Sequence, residues 1–333
     1  MSSIVTIAKA LGISPSTVSR ALKRPDMVSG ETRHKILQEA QAQNYFSDRG
    51  VNTEFGYNKF IGILVADLTN SFSNTIVKVV QDFAYSHNYT PLIGCTYEQP
   101  SIENKILNQW DLLNLKGIVA MPLQSSAEAY QEVAQKIPLV LVDRQLDNVK
   151  CDTVIVNNRS GIRQALDHLT NLGHKNITLI CGSNRIYTFN ERAQAAHEYG
   201  NNINVTTINA VSYEELYMGA FEQVNMLMMS SGKNRPTALI GANNAITAGI
   251  LYALNLKGIK IPGDISVLAY GDSHWGRFYP VPITSIRQPT EEMGEYAATI
   301  LFERIHGKQE DFKNICLEPM LLPRVSTAAV STC

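Results

Sequence analysis

Short polar side chains cluster near the start of the chain on one side of a predicted helix, and they are Ser16, Thr17, Ser19 and Arg20. Hydroxyl groups and the N–H groups at a helix start can hold phosphates, and arginine can meet O6 and N7 of guanine with two hydrogen bonds. The other side of this helix carries Val18, Ala21 and Leu22, a spacing that predicts burial. The polar face suits a DNA groove, although a three-helix packing module with solvated hydroxyls fits the spacing equally well.

Three short helices are predicted to position this face. The first follows Ser3 and is predicted from an apolar stripe at i, i+3, i+4 and i+7, formed by Ile4, Ile7, Ala8 and Leu11. Gly12 tolerates the positive φ that ends a helix. Ser14 is a good N-cap for the second helix, and Pro15 suits its first position. Ser29 caps a third helix. The apolar residues of that helix would close a small core, and they are Ile36, Leu37 and Ala40.

The run Gly-Ile-Ser-Pro-Ser-Thr-Val-Ser-Arg-Ala-Leu at 12–22, followed by Val-Ser-Gly-Glu-Thr-Arg at 28–33, resembles the headpiece of the lactose/galactose repressor family. The resemblance implies a bacterial transcriptional regulator in which Ser16 and Arg20 contact bases, while Thr17 and Ser19 contact phosphates. The residues that it implies at double-stranded operator DNA are Ser14, Pro15, Ser16, Thr17, Ser19, Arg20, Lys23, Ser29, Thr32 and Arg33.

The next segment departs from the family pattern. Members usually continue with Pro-Asn and a short hinge helix that ends in a leucine wedge in the minor groove. Here Gly50 lies within the would-be helix, where glycine costs about 1 kcal/mol relative to alanine, and Glu54 stands where the leucine is expected. Either Val51 or Phe55 substitutes as the wedge, or the operator is bent less. The candidate hinge residues are Arg49, Val51 and Phe55.

The net charge of −1 is divided unevenly along the chain. Residues 1–50 contain 7 Lys and Arg against 4 Asp and Glu, a net charge of +3, so the other 283 residues carry −4. The positive field therefore lies where phosphate binding is expected.

From Lys59 onward, short β-rich runs alternate with helical stretches, a pattern typical of parallel sheets covered by helices on both faces. The pattern begins with Phe60–Ala66, restarts at Ile177–Cys181 and ends with a strand near Ile315 to Leu322. The restart predicts two similar lobes. The predicted fold class is therefore α/β, with a small all-α helix-turn-helix headpiece and a two-lobed domain, like that of periplasmic binding proteins, built on parallel sheets.

The resemblance also implies domain boundaries, because the chain of this family crosses three times between lobes. We expect a DNA-binding headpiece at 1–46, a hinge at 47–58, an effector-binding domain at 59–323 and a tail at 324–333. Lobe 1 would take 59–158 and 289–323, and lobe 2 would take 159–288. The tail has no leucine heptads, so a tetramer formed by a C-terminal coiled coil is not expected. A ligand is expected in the crevice at the carboxyl ends of the strands.

Later runs extend the resemblance over nearly the whole chain, among them Ile61–Val65, Asp67–Phe72, Val140–Arg144, Leu172–His174, Ile261–Ser266 and Thr284–Pro289. Carboxylate, amide and guanidinium groups suit hydroxyls or acid groups, and an aromatic face can stack on a sugar ring. The candidate effector-binding residues are Asn70, Ser71, Phe72, Asp143, Arg192, Asn243, Asp272, Trp275 and Gln288. Each of them could instead be a salt-bridged or solvated group on a loop.

Two family positions are altered. The usual Asn-Asp pair is Asn243-Asn244, and the family's Gly-Phe-Asp-Asp is Ala-Tyr-Gly-Asp at 269–272, so an aspartate that often binds sugar hydroxyls is replaced by Gly271. Trp275 and Phe278 could supply an aromatic wall instead. We therefore expect an effector that is a sugar, a sugar phosphate or a sugar acid, since Arg192 would suit a carboxylate or phosphate.

Other classes of protein are not favoured. The apolar runs are far shorter than the roughly 18 residues that cross a bilayer, and no basic-then-apolar leader is present. The five cysteines are scattered without a C-x-x-C pair, and no H-E-x-x-H motif occurs, so neither a metal nor a cofactor is expected. A nucleophile elbow and a G-x-G-x-x-G loop are missing as well. We expect a cytoplasmic protein that is not an enzyme.

Together these patterns predict a sequence-specific DNA-binding regulator, a repressor of a carbohydrate-utilisation operon controlled by a small sugar-like effector between the lobes. A homodimer is expected, because a lone headpiece makes few base contacts and two-fold pairing doubles them. The alternative is a periplasmic-type sugar-binding protein for transport or sensing. It would use the same two lobes but would require export.

Overall fold

The computed structural model describes residues 3–23, 27–43, 59–200, 203–230 and 235–330. The chain divides into two compact units, residues 1–57 and 58–333.

The first unit is helical in its described part. Its helices are α1 Ile4–Leu11, α2 Pro15–Lys23 and α3 Gly30–Ala42. Gly12 has φ 65° and ends α1, a left-handed conformation that glycine adopts without strain. The three helices share one small core, formed by Ile7, Ala8, Val18, Ala21, Ile36 and Ala40. The predicted helix-turn-helix headpiece is confirmed.

Lobe 1 of the second unit is a parallel sheet covered by helices. Its strands are β1 Phe60–Val65, β2 Thr90–Cys95, β3 Ile118–Ala120, β4 Leu139–Val142, β5 Asp152–Val156 and β11 Asn314–Leu317. They lie in the order β11-β5-β4-β3-β1-β2, and every pair is parallel. Its helices are α4 Ser71–Ser86, α5 Pro100–Leu112, α6 Ala127–Lys136 and α12 Thr290–Ile305, with a 3₁₀ helix at Gln124–Ser126.

Lobe 2 repeats this arrangement. Its strands are β6 Ile177–Cys181, β7 Ile203–Thr207, β8 Ala238–Gly241, β9 Ser266–Tyr270, β10 Thr284–Arg287 and β12 Met320–Leu322. They lie in the order β12-β10-β9-β8-β6-β7, and all pairs are parallel except that β12 runs antiparallel to β10. Its helices are α7 Asn158–Asn171, α8 Tyr187–Tyr199, α9 Tyr213–Met229, α10 Asn244–Leu256 and α11 His274–Phe278. The predicted two-lobed α/β class is confirmed.

Burial of the strands on both faces explains why they are nearly continuous apolar runs. In β1, Ile61, Ile63 and Leu64 are fully buried. Gly62 interrupts this run because its missing side chain makes room for Trp110 of α5, whose indole ring an added Cβ would overlap. Both sheets therefore have dense cores, and their strand ends are held in fixed positions.

The end of the chain differs from the prediction. The single strand expected near Ile315 to Leu322 is wrong, because β11 pairs with β5 in lobe 1 whereas β12 pairs with β10 in lobe 2. Pro319 lies between the two strands, and proline has no N–H with which to continue a ladder. The chain thus makes its third crossing there, and the expected lobe 1 segment 289–323 ends before Pro319. The polar edge strand β7 was not predicted.

The tail expected at 324–333 is attached to lobe 2 over 324–330. Val267 N donates to Ser326 O at 2.9 Å, and Val330 N donates to Leu172 O at 3.0 Å. His174 is buried beneath this segment, with Nε2 at 3.0 Å from Ala328 O and Nδ1 at 2.9 Å from Thr237 Oγ1. Because a carbonyl can only accept, Nε2 carries a proton and donates to Ala328.

Acid should weaken this attachment. Burial lowers the pKa of His174 below the ordinary value of 6.5, so at lower pH the folded state binds fewer protons than the unfolded state. The stability that is present above pH 6.5 is then lost as the pH falls through the pKa of the folded histidine. We expect the fall in Tm between about pH 8 and about pH 5 to be smaller in His174→Gln than in the parent.

The control is His197→Gln, because His197 is exposed on α8. Thermal unfolding followed by circular dichroism gives the measurement. A pH dependence that is the same in the parent and in His174→Gln would contradict a buried neutral His174.

Candidate functional site

The cap at the start of α2 sets the direction of that helix. Ser14 Oγ accepts a hydrogen bond from Thr17 N at 3.1 Å, the contact expected of an N-cap. Val18 and Ala21 are buried in the small core. The opposite face of α2 is consequently turned to solvent.

Hydroxyl groups gather at the start of this exposed face. Ser14 Oγ lies 2.8 Å from both Ser16 Oγ and Thr17 Oγ1. Ser16 and Arg20 are exposed, and Ser19 is partly exposed. Arg20 makes no hydrogen bond or ion pair with the described residues, so all its donors are available to a partner.

The remaining predicted DNA contacts are distributed over the same unit. Ser29 Oγ donates to Thr32 Oγ1 at 2.8 Å and precedes α3, and Pro15 and Arg33 are exposed. The side chain of Lys23 lies outside the described part of the chain. So do the predicted hinge residues, Arg49, Val51 and Phe55.

In the second unit, a cleft that is partly open to solvent lies between the lobes. Residues that follow strands or start helices line it, as expected where parallel strands end. Six of the predicted effector residues are brought together here, namely Asn70, Phe72, Asp143, Arg192, Asn243 and Gln288.

Arg192 of α8 is the most firmly anchored of these side chains. It is 4% exposed, and it donates from Nε to Asn158 Oδ1 at 2.8 Å and from Nη1 to Ala242 O at 2.6 Å. Its guanidinium lies 3.8 Å from the centre of the Tyr270 ring, a cation–π contact. Burial raises the pKa of Tyr270 to about 12, so the phenol stays neutral. A fixed positive charge therefore faces the cleft.

Asp143 presents the opposite charge from lobe 1. It follows β4 with φ 68°, a conformation that aspartate adopts more readily than most residues. It is 7% exposed, and its Oδ1 has no hydrogen-bond partner. Burial raises the pKa of its carboxyl group, which Arg144 and Arg192 counteract. Glu98 holds Arg144 by two hydrogen bonds, so Asp143 retains the capacity to bind a ligand hydroxyl.

The two predicted asparagines serve as helix caps as well. Asn70 Oδ1 accepts from Phe72 N at 3.1 Å at the start of α4. Asn243 Oδ1 accepts from Ile246 N at 2.8 Å at the start of α10. Their oxygens are thus used by the backbone, and a ligand would meet their amide N–H groups.

Three predicted effector residues do not line this cleft. Asp272 is ion-paired with Arg277 at 2.8 Å and with Arg324 at 2.7 Å. Trp275 and Phe278 of α11 are 38% and 83% exposed, so the expected aromatic wall does not form. Ser71 lines a neighbouring cavity instead, where its Oγ accepts from Asn244 Nδ2 across the lobe junction at 3.1 Å.

Other polar residues in the cleft were not predicted, and they are Asp67, Glu98, Arg144, Thr188, Tyr213, Asn244 and Tyr270. Arg144 directly follows Asp143, and Tyr270 ends β9, so their positions at strand ends gave a usable signal. Glu98 gave none, since it lies in a turn with φ 57° and meets Arg144 only in the folded chain.

Comparison with known proteins identifies the family. Residues 3–48 match the model described as bacterial regulatory proteins, lacI family, and residues 166–327 match a periplasmic binding protein-like domain. The HTH-type transcriptional repressor PurR of Pasteurella multocida is 30% identical over 98% of this chain and 98% of that protein. The chain belongs to the lacI family of bacterial regulatory proteins. It is a DNA-binding transcriptional regulator, and this family is not enzymatic.

Two more lacI-family proteins illustrate the likeness. The HTH-type transcriptional regulator KdgR of Bacillus subtilis is 28% identical over 97% of this chain and 97% of that protein. A LacI family transcriptional regulator from Enterococcus faecium, solved with bound ribose, has a TM-score of 0.72 at 23% identity and covers 82% of this chain and 100% of that one. Among the described residues of this chain, no helix has the length and apolar character to cross a membrane.

Replacing the Asp143 carboxylate, whose Oδ2 lies 3.8 Å from Arg144 Nε and whose Oδ1 has no hydrogen-bond partner, should stabilise the ligand-free regulator. Because the pKa of Asp143 is raised, its ionisation costs stability as the pH rises above the value of an unfolded aspartate. Asparagine keeps the side-chain shape and tolerates positive φ. We expect Asp143→Asn to raise Tm at neutral pH by about 2 °C, which roughly 1 kcal/mol produces in a domain of this size.

Asp147→Asn serves as the control, because Asp147 is exposed on the same loop. Its Tm should equal that of the parent. A lower Tm for Asp143→Asn would show that the carboxylate stabilises the empty cleft.

Proposed function

We propose that this lacI-family regulator represses a carbohydrate-utilisation operon and changes its hold on the operator when a sugar-like effector binds between the lobes. The observation that carries the effector class is the set of polar groups in the cleft. Asp143 Oδ1 and Asn244 Oδ1 are buried acceptors without donors, and Arg192 offers a fixed cation. A polyhydroxylated molecule supplies the O–H donors that both acceptors need.

The position of the cleft agrees with a small effector. Residues of both lobes line it, and small-molecule sites are often found between domains. The Enterococcus faecium LacI family regulator was solved with bound ribose, which supports a sugar as the effector. A carboxylate or phosphate on the effector would find Arg192 on one wall.

Binding between lobes gives a means of regulation. The cleft takes Asp143 from lobe 1 and Arg192 from lobe 2, so an effector that bonds to both favours one arrangement of the lobes. The equilibrium between arrangements shifts only by the difference in the effector's affinity for them. The operator-bound state becomes more or less stable by that amount.

The two lobes alone would also suit a periplasmic-type binding protein. The exposed polar face of α2, on which the Arg20 side chain has no partner among the described residues, favours a DNA-binding regulator over a binding protein for transport. Reporter repression with the full chain and with a chain lacking residues 1–56 distinguishes the two. Repression that persists without the headpiece would contradict operator binding by α2.

We further infer a homodimer, which would act in the cytoplasm where bacterial DNA lies. The outer surface of α9 and α10 exposes apolar side chains that a monomer would leave in water. Met218 is 40%, Tyr252 is 42% and Leu256 is 61% exposed. Pairing through this surface would hold two headpieces for the half-sites of a pseudo-palindromic operator.

The base contact of Arg20 can be tested once operator fragments are selected from genomic DNA. Arg20→Ala should weaken specific binding and relax preference at one base position by roughly 1–3 kcal/mol, because a bidentate guanine contact is lost. Binding to a library of operator variants measures both effects.

Lys9→Ala removes the same charge from the exposed end of α1 and is the matched control. It should change affinity without changing base preference. An equal loss on every sequence for Arg20→Ala would mean that Arg20 contacts only phosphate.

The dimer surface predicts a second result. Leu256→Glu should shift the protein towards the monomer, because it places a carboxylate in an apolar contact. Light scattering after size exclusion measures the mass over a dilution series. Lys257→Glu, at the neighbouring exposed position, should leave the mass unchanged. A Leu256→Glu protein with the parent's mass at every concentration would contradict this surface.

A further inference from the structure

A second polar cavity adjoins the interlobe cleft. It is partly open to solvent and is bordered by Ser71, Gly271, Asp272, His274, Arg277, Arg287 and Glu291. Phe72, Asn244 and Gln288 line both this cavity and the cleft. The two spaces therefore adjoin at these three residues.

The junction between the two spaces has no acidic side chain. Gly271 has φ 113°, and a Cβ added there would lie 2.6 Å from Asn244 Oδ1. Aspartate at this position would be strained and would collide with Asn244. The amide of Asn244 thus fills the space next to Gly271, and no carboxylate at position 271 repels an anion in the adjoining cavity.

Arginines surround the second cavity. Arg287 ends β10, is exposed and makes no hydrogen bond or ion pair within the described residues. Asp272 is paired with Arg277 inside the cavity and with Arg324 behind it. In the cavity the two guanidinium groups of Arg277 and Arg287 are therefore matched by the two carboxylates of Asp272 and Glu291, and the guanidinium of Arg287 is paired with neither carboxylate.

Long helices begin at the same place. The 16-residue α4 starts at Ser71, and the 16-residue α12 starts at Thr290. The positive ends of helix dipoles and their unpaired N–H groups favour an anion. Arg287 and these helix N-termini therefore both contribute positive electrostatic potential to the second cavity.

A separate observation indicates that a hydroxyl lies next to this anion. Asn244 is 7% exposed, its Nδ2 is used by Ser71 Oγ, and its buried Oδ1 has no donor. Sulfate and the phosphoryl group of a phosphate monoester dianion have no O–H to donate, whereas a sugar hydroxyl has one. The ligand that satisfies both features carries hydroxyls and an anionic group.

We propose that the effector is a phosphorylated sugar, with its sugar ring in the interlobe cleft and its phosphate in the second cavity next to Arg287. The proposal rests on the sugar-controlled function above and specifies the effector class. Asp143 and Asn244 accept from ring hydroxyls. Arg287 binds the phosphate, and no carboxylate stands at position 271 to repel it.

The test uses the full-length protein with ribose, ribose 5-phosphate, glucose, glucose 6-phosphate and inorganic phosphate. Calorimetric titration should give at least one sugar phosphate a Kd about tenfold or more below that of its parent sugar, since an ionic contact is added. Inorganic phosphate should compete with the sugar phosphate but not with the parent sugar.

Arg287→Gln should abolish this preference and leave the affinity for the parent sugar unchanged. It should also fold, because Arg287 is exposed and unpaired. Arg163→Gln removes an equal charge from an exposed position on α7 and should keep the preference.

Two results would overturn the phosphate subsite. One is a neutral sugar that binds as tightly as its phosphate. The other is a phosphate preference that survives Arg287→Gln. After either result, the proposal that a sugar controls operator binding still holds if the bound sugar changes the affinity of the protein for its operator. Failure of every sugar and sugar phosphate to bind would overturn both proposals.

Discussion

The regulatory domain depends on buried polar groups at the lobe junction that find no hydrogen-bond partner in either lobe. Asp143 Oδ1, Arg144 Nε and Asn244 Oδ1 are buried near the lobe junction without hydrogen-bond partners. Each such group costs about 1–3 kcal/mol relative to a satisfied one. A ligand with the right donors and acceptors supplies the partners that the protein's own groups do not. The unpaired groups of the cleft therefore indicate the chemistry of the effector.

Side chains that are held in place by hydrogen bonds lie beside these unpaired atoms, and they give the cleft its selectivity for a ligand. Arg192 cannot turn away, because Asn158, Ala242 and the Tyr270 ring hold it. The caps at Asn70 and Asn243 fix the starts of α4 and α10. A ligand thus meets hydrogen-bond donors at defined positions, and these side chains lose little conformational entropy when it binds. The dense sheets behind the site supply this rigidity, since side chains in close-packed cores have few alternatives.

The sequence predicts the parts of this arrangement that depend on short-range pattern. Alternation of apolar runs gives the strands, and cap chemistry gives the helix starts at Ser14 and Ser29. The edge strand β7 was not predicted from the sequence, because polar residues interrupt its apolar pattern. The ion pair of Asp272 was not predicted, because its partner Arg324 lies on the returning C-terminal segment and no local pattern reveals that contact. Tertiary structure alone decides whether such a carboxylate is paired or free.

Gly271 and Asn244 have to be understood as one unit. Each looks like a simple loss of an acidic residue from the family pattern, yet the space that a side chain at position 271 would need is occupied by Asn244 Oδ1. Restoring aspartate at position 271 alone would create a collision and a strained φ, so the effects of changing the two residues cannot add. Ligand preference in this cleft is consequently set by a pair of contacting residues. Assigning specificity position by position from the family pattern would miss it, because the pattern carries no information on which side chains share the same space.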